Sequence, residues 1–233
     1  MKRVMILLAL VAAAIPATAA ERRYSLGDFD RIRVDGPYQV RLTTGSATGG
    51  RATGSQQALD RLTVDVQGTT LRIRANRSAW GGYPGEAGDP PPTIIVATRA
   101  VRAVTVSGSG GVSLDKVRAP KLDLSLAGSG RIAIGAVEVD ALVHTQLGAG
   151  QLTLAGRAKQ ARLLVQGSGA VDAAAFRADD LQVNAETAGN VALGAVKTAR
   201  IRSTGAGNVT ITGNAACTVE ALGSGVVRCG SSR

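Results

Sequence analysis

Large rings are scarce in this 233-residue chain: aromatics are only 3%, two Phe, three Tyr and one Trp. The core must therefore be assembled from Val, Leu, Ile and Ala, which suits a narrow, layered interior rather than a wide one. Histidine occurs once, at His144, so no second histidine can join it in a metal or catalytic site. No apolar run approaches the roughly 20 residues that a bilayer span needs, the longest being Val4 to Ile15. Catalysis would need a nucleophile with a base, paired carboxylates or clustered metal ligands. Asp115, Asp123, Asp140, Asp172, Asp179 and Asp180 are instead scattered through the chain, and read as solvated side chains. Neither a catalytic group nor a cofactor is expected.

The N-terminus reads as a secretory leader spanning residues 1–19. Lys2 and Arg3 precede the apolar run, and Ala17-Thr18-Ala19 places small residues where a signal peptidase reads them. A periplasmic or secreted location follows, with a mature chain that has no membrane span. No cysteine follows the cleavage region, so a lipid anchor there is not indicated. Losing Lys2 and Arg3 with the leader takes the formal charge from +10 to +8. For an exported chain the accessible polyanions are envelope polysaccharides and anionic headgroups rather than nucleic acid. The plainer reading is that scattered arginines keep an extended sheet soluble.

Glycine is abundant, with 30 residues, and it recurs in register. Gly110, Gly130, Gly150, Gly169, Gly189, Gly207 and Gly225 lie 18 to 20 residues apart, each closing a small turn such as Gly108-Ser109-Gly110. A short fixed period means one unit stacked on copies of itself. Two residues after each glycine stand Val112, Ile132, Leu152, Val171, Val191, Val209 and Val227. Four after it stand Leu114, Ile134, Leu154, Ala173, Leu193, Ile211 and Cys229. Further apolar columns precede it by eight and six residues, for example Leu122 and Leu124 or Leu181 and Val183, with polar residues between. Alternation within a unit and likeness between units predict an all-β parallel β-helix of about seven coils, near 34 Å long at ~4.8 Å per coil. An antiparallel sandwich also alternates but requires no constant glycine period. Helical repeats need longer units and tolerate glycine poorly.

Before the coils, Phe29 to Arg74 alternates as short strands broken by turns at Asp35-Gly36-Pro37 and Gln67-Gly68-Thr69. Residues 76–92 are rich in Gly and Pro and form a loop holding Trp80 and Tyr83. Those two rings would stack on a sugar or fold back over the end of the core. One domain over 24–230 is expected.

His144 and Gln146 fall in inward columns of the third unit. Burying both would demand partners, so the favoured expectation is a one-residue slip that turns His144 outward and Ala141, Val143, Thr145 and Leu147 inward. Cys217 and Cys229, the only cysteines, occupy inward columns of the final unit and are expected to form a disulfide after export. The glycine turns lack the following helix and Lys-Ser or Lys-Thr pair of a phosphate loop, and they lack the aspartates of a calcium-binding β-roll. Their glycines are expected to supply corners with positive φ. Asn190 and Asn208, each directly after the glycine, are expected to stack as a short ladder.

Phe29-Asp30-Arg31-Ile32-Arg33-Val34, Gly36-Pro37-Tyr38-Gln39-Val40, the strand from Gly68 to Ile73 and the repeated Gly-Ser-Gly, Gly-Ala-Gly and Ala-Gly-Asn units resemble the putative auto-transporter adhesin head GIN domain family, DUF2807. That resemblance covers most of the mature chain and implies a bacterial envelope protein with a right-handed β-helix. It supplies no catalytic residues. Two functions stay open: an envelope binding or scaffold domain for an acidic polysaccharide or another component, and a β-helix polysaccharide-processing enzyme. The residues nearest to a charged face are Arg162, Arg200 and Arg202. Basic residues without acidic ones favour binding.

Overall fold

The structure, a computed structural model, describes residues 20–76 and 90–230. Expectations for the leader, for Trp80 and Tyr83 lie outside the described residues. Short strands come first: β1 (Ala20–Tyr24), β2 (Arg31–Asp35), β3 (Gln39–Thr44) and β4 (Gly49–Gly54). They are followed by helix α1 (Gln56–Asp60), β5 (Leu62–Gln67), β6 (Thr70–Ala75), β7 (Thr93–Thr98) and β8 (Ala103–Gly108). Five long strands make the body: β9 (Gly111–Gly128), β10 (Arg131–Gly148), β11 (Gln151–Gly167), β12 (Ala170–Thr187) and β13 (Val191–Ser203). The chain ends in β14 (Val209–Thr212), β15 (Ala216–Ala221) and β16 (Val227–Cys229). From β9 onward every pairing is parallel, each coil resting on the one before. This is the stacked-coil solenoid that the glycine period implied.

Each long strand is a strip that bends around the core. In β9 the in-out alternation loses phase twice, with consecutive outward residues at Asp115-Lys116 and Pro120-Lys121. Since alternation has period two along a strand, two successive outward residues mark a corner. The two corners and the glycine turn divide a coil into three faces: a first face (Val112, Leu114), a middle face (Val117, Ala119) and a last face (Leu122, Leu124, Leu126). The glycine-anchored columns had revealed the first and last faces only. The middle column continues through Val137, Val139, Ala158, Phe176, Ala178 and Ala195, which are all buried. Register shifts between successive coils fall at the corners and on this middle face, near Ile134/Val137, Thr153/Ala155 and Ala173/Arg177. The middle residues therefore vary in distance from the glycine.

The turn glycines have two jobs, and positive φ belongs to the first of each pair. Gly108, Gly128, Gly148 and Gly167 have φ between 105° and 111°. The recurring second glycine is excluded from carrying a side chain by its neighbour below. A Cβ on Gly130 would lie 2.4 Å from the Gly110 carbonyl oxygen, and one on Gly207 only 1.9 Å from that of Gly189. The constant period is thus a record of turns stacked on turns, and the positive φ expected of the turn glycines is met at the first of each pair. The turn ladder also starts earlier than the seven units. Gly36 (φ 117°) sits beneath Gly108, and Gly110 N donates to Gly36 O at 2.9 Å. In the turn stacked on Gly167, Thr187 replaces the first glycine, its hydroxyl donating to Gly169 O at 2.8 Å and accepting from Gly189 N at 3.0 Å. Asn190 and Asn208 form the expected ladder through their side-chain oxygens. Asn190 Oδ1 accepts from Asn208 N at 3.3 Å, and Asn208 Oδ1 from Val226 N at 3.0 Å.

The register expected for His144 is overturned. β10 pairs with β9 without a break from Ala141 to Gly148, placing His144 on Leu124 and Gln146 on Leu126. His144 is 1% exposed and Gln146 fully buried, while Leu147, which a slip would have hidden, is 46% exposed. A slip would have turned Leu142 out of its column. The polar pair is tolerated because it is bonded in series: His144 Nε2 lies 3.1 Å from Gln146 Oε1, and Gln146 Nε2 donates to Gly150 O at 2.7 Å. Burial holds the imidazole down at about 4 against its ordinary 6.5, opposed by the weaker pulls of Gln146 and the Leu124 backbone. The ring is neutral near pH 7.

Candidate binding surfaces

The core occupies the inward columns, so chemistry is left to the outward ones. Among the described residues no three His, Cys, Asp or Glu side chains gather where a metal could sit. No described helix is long and apolar enough to cross a membrane. Charged side chains on a parallel solenoid face outward in register, so equivalents one coil away stand side by side on the same face.

On the last face, Arg162 and Arg200 share an outward column with Gln182 between them. Arg202 lies in the adjacent column, next to Asn184 and Glu220. The structure thus puts the three arginines expected from sequence on one face. Arg202 is ion-paired, Nη1 to Glu220 Oε2 at 3.1 Å. Arg162 and Arg200 are exposed.

The middle face holds a stronger concentration that the sequence reading did not identify. Arg118, Glu138, Arg157 and Arg177 stand directly above one another in four successive coils. Beside this ridge runs a groove of about 590 Å³, whose lining includes Ala136, Gly156 and Ala175 and which is rimmed by Lys116 and Arg99. Small residues keep the floor low. At Gly156 (φ 118°) a Cβ would come within 2.2 Å of the Val137 carbonyl, so this coil cannot carry a side chain there. Glu138 accepts from Arg118 Nε at 3.0 Å and also bonds Arg157. Those two guanidiniums, Arg157 first, hold its carboxyl below the usual range, and Glu138 in turn raises Arg157. The lining has five cations against this one carboxylate. The next corner is balanced by comparison, Lys159 pairing with Asp140 at 2.7 Å and Lys197 with Asp179 at 2.8 Å.

The signal for this ridge was present in the chain. Its members fall seven or eight residues after the recurring glycine, and only the one-residue shortening before Arg157 hides the column.

Cys217 and Cys229 are joined as expected. They bridge the last face and the first face of the terminal coil, through β15 and β16. Both keep the inward register, Cys217 on Ala199 and Cys229 on Ile211, but neither is buried, since no described coil follows.

The family model for the putative auto-transporter adhesin, head GIN domain, DUF2807, matches residues 28–215. A solved structure of a putative adhesin from Bacteroides fragilis NCTC 9343 is similar with a TM-score of 0.83 and 19% identity, covering 91% of this chain and 96% of that one. A putative lipid binding protein from Parabacteroides distasonis ATCC 8503 gives a TM-score of 0.69 at 19% identity, covering 93% and 98%. A putative adhesin from the same strain gives 0.68 at 18%, covering 91% and 97%. At such identities these structures establish a shared fold. No curated protein matches the chain.

Proposed function

The chain belongs to the putative auto-transporter adhesin head GIN domain family, and from that premise we propose that it is an exported, non-enzymatic cell-envelope domain that holds an acidic polysaccharide or similar anionic envelope polymer on its outward cationic columns. The observation that carries this reading is the division of labour in each coil. Inward columns are spent on an aliphatic core, and outward columns bring cations from separate coils onto common faces, as with Arg162 and Arg200 or Arg157 and Arg177. Such a surface is a long open track, suited to a chain-like ligand held by many weak contacts. Export is supported by the leader pattern of residues 1–19.

Retention of the mature protein on an immobilised acidic polysaccharide, measured against salt, tests the reading. Attraction between exposed charges falls as the Debye length shrinks from ~10 Å at 0.1 M to ~3 Å at 1 M salt. Retention at low salt, lost at high salt, with no new reducing or unsaturated chain ends, is the expected result. No retention at low salt would remove the binding role, and new chain ends would move the protein to the polysaccharide-processing class. Intact-mass analysis of exported protein should show a chain beginning next to Ala19 or Ala20.

A further inference from the structure

We infer that the groove on the middle face is a specific oxyanion site, in which Arg157 and Arg177 together clamp one acidic group of a polysaccharide lying along the solenoid, a carboxylate or a sulfate or phosphate ester. The inference rests on the binding role proposed above and assigns it to particular residues.

The ridge itself shows how such a group is held. Glu138 sits in the coil between Arg118 and Arg157 and bonds both, so one carboxylate serves two guanidiniums from different coils. The next step of the column breaks that pattern. Arg157 and Arg177 are direct register partners in adjacent coils, with no carboxylate between them. Like charges directly opposite across a strand pair are unfavourable, and Arg177 has no ion pair among the described residues. Lys116 and Arg99 add positive charge to the rim; Arg99 has Asp28 at 3.6 Å, and the Asp115 carboxylate beside Lys116 accepts from that residue's backbone N at 2.7 Å. An external oxyanion over Arg157 and Arg177 would offset this repulsion as Glu138 does one step earlier. Guanidiniums suit that role, because their planar fork donates two parallel hydrogen bonds to one oxyanion. The groove runs across coils, and its low Ala and Gly floor lets a polymer backbone lie against the ridge.

Glu138 makes the assignment sharp. It competes for Arg157 and places a negative charge in the path of an acidic ligand, so removing its charge should strengthen binding. A structural role alone predicts the opposite, or nothing.

The test is affinity electrophoresis of the mature protein in gels containing polygalacturonate, with dextran as the neutral control. Variants would be Arg157→Gln with Arg177→Gln, Glu138→Gln, and a charge-matched control outside the groove, Arg41→Gln with Arg51→Gln. All five positions are exposed or half-buried outward residues, and circular dichroism melting checks that each variant is folded. The double groove substitution should weaken retardation about tenfold. Glu138→Gln should tighten it severalfold, and the control pair should lower it less than twofold. Equal loss in the groove pair and the control pair would overturn the site and leave the general binding role standing. Weaker retardation by Glu138→Gln would also overturn it. No retardation of the wild type would remove the binding role itself. Retention on vesicles containing anionic phospholipid, lost in the groove pair, with none on polygalacturonate, would assign the oxyanion to a lipid headgroup and overturn the polysaccharide assignment.

Discussion

The two ends of the solenoid solve the same problem by different means. At the N-terminal end the coil order is woven: β2 and β3 lie against β8 and β9, and the later strands β6 and β7 pack outside them. Antiparallel β5 and β4 then lie on β6 and β7, with β1 beyond β4. Helix α1 adds Ala58 and Leu59 to the buried set. The inward residues there, such as Leu71 and Ile73, are covered completely. At the C-terminal end β15 is exposed along its whole length, and Val219, the columnar equivalent of Leu124, is 44% exposed against 2%. The column is continuous through Leu163, Val183 and Ile201, yet its last member has no following layer among the described residues. In repeat proteins each unit buries its neighbour's face, so the terminal unit needs a cap. Here the described end carries a covalent tie in place of an apolar layer.

That contrast predicts a graded series of effects. Leu124→Asp should be the most damaging change, because it forfeits ~1.5 to 3 kcal/mol of burial and leaves a buried charge without a partner. Val219→Asp, in the same column, should resemble the surface change Ser125→Asp and cost about 1 kcal/mol or less. Thermal melts decide it, and equal losses at Leu124 and Val219 would erase the distinction between interior and end.

Breaking the tie comes next. Cys217→Ser with Cys229→Ser should cost ~3 kcal/mol in the chain-entropy picture for so short a loop. The loss should be local, seen as trypsin cleavage after Arg228 or Arg202 well below the main melting transition.

Acid should loosen the interior of the third unit rather than the ends. His144 has its folded value lowered to about 4 from 6.5, so its neutral burial is fully favourable above the unfolded value and becomes progressively costly as pH falls from 6.5 toward 4. By pH 5 this group alone should remove about 2 kcal/mol. Replacing both members of the buried pair, His144→Leu with Gln146→Val, copies Leu163 and Val165 of the next coil. It should flatten that part of the pH profile when stability is followed by urea titration.

The smallest effect belongs to the N-terminal cap. Ser55 Oγ accepts from Ala58 N at 3.1 Å at the start of α1, so Ser55→Ala should cost about 1 kcal/mol. An unchanged midpoint in urea would mean that the helix contributes little to covering that end.

The coils were legible because the turn is. A glycine that meets the preceding turn's carbonyl cannot be replaced, and it fixes the phase of residues on either side, such as Val112 and Leu124. Legibility fades with distance from that anchor. The middle face lies beyond a corner where residues are gained or lost, which hid both the Phe176 column and the Arg118, Arg157 and Arg177 ridge. His144 departs from its expected register for another reason. Polarity suggested an outward residue, but the bond to Gln146 and onward to Gly150 comes from side chains two apart on one inward face and a carbonyl beyond the turn. The woven N-terminal strands were recognisable as strands, whereas their order was not, because each alternates alike whatever it packs against.

The most direct test of the unequal ends is amide hydrogen exchange of the oxidised and the reduced protein, resolved by peptide. Protection near the global unfolding limit is expected across 111–187 and in β2, β3 and β6, with clearly weaker protection from Val209 to Gly230 that falls further on reduction while the rest is unchanged. Uniform protection across the C-terminal coil, or a loss on reduction that spreads through the whole solenoid, would contradict it.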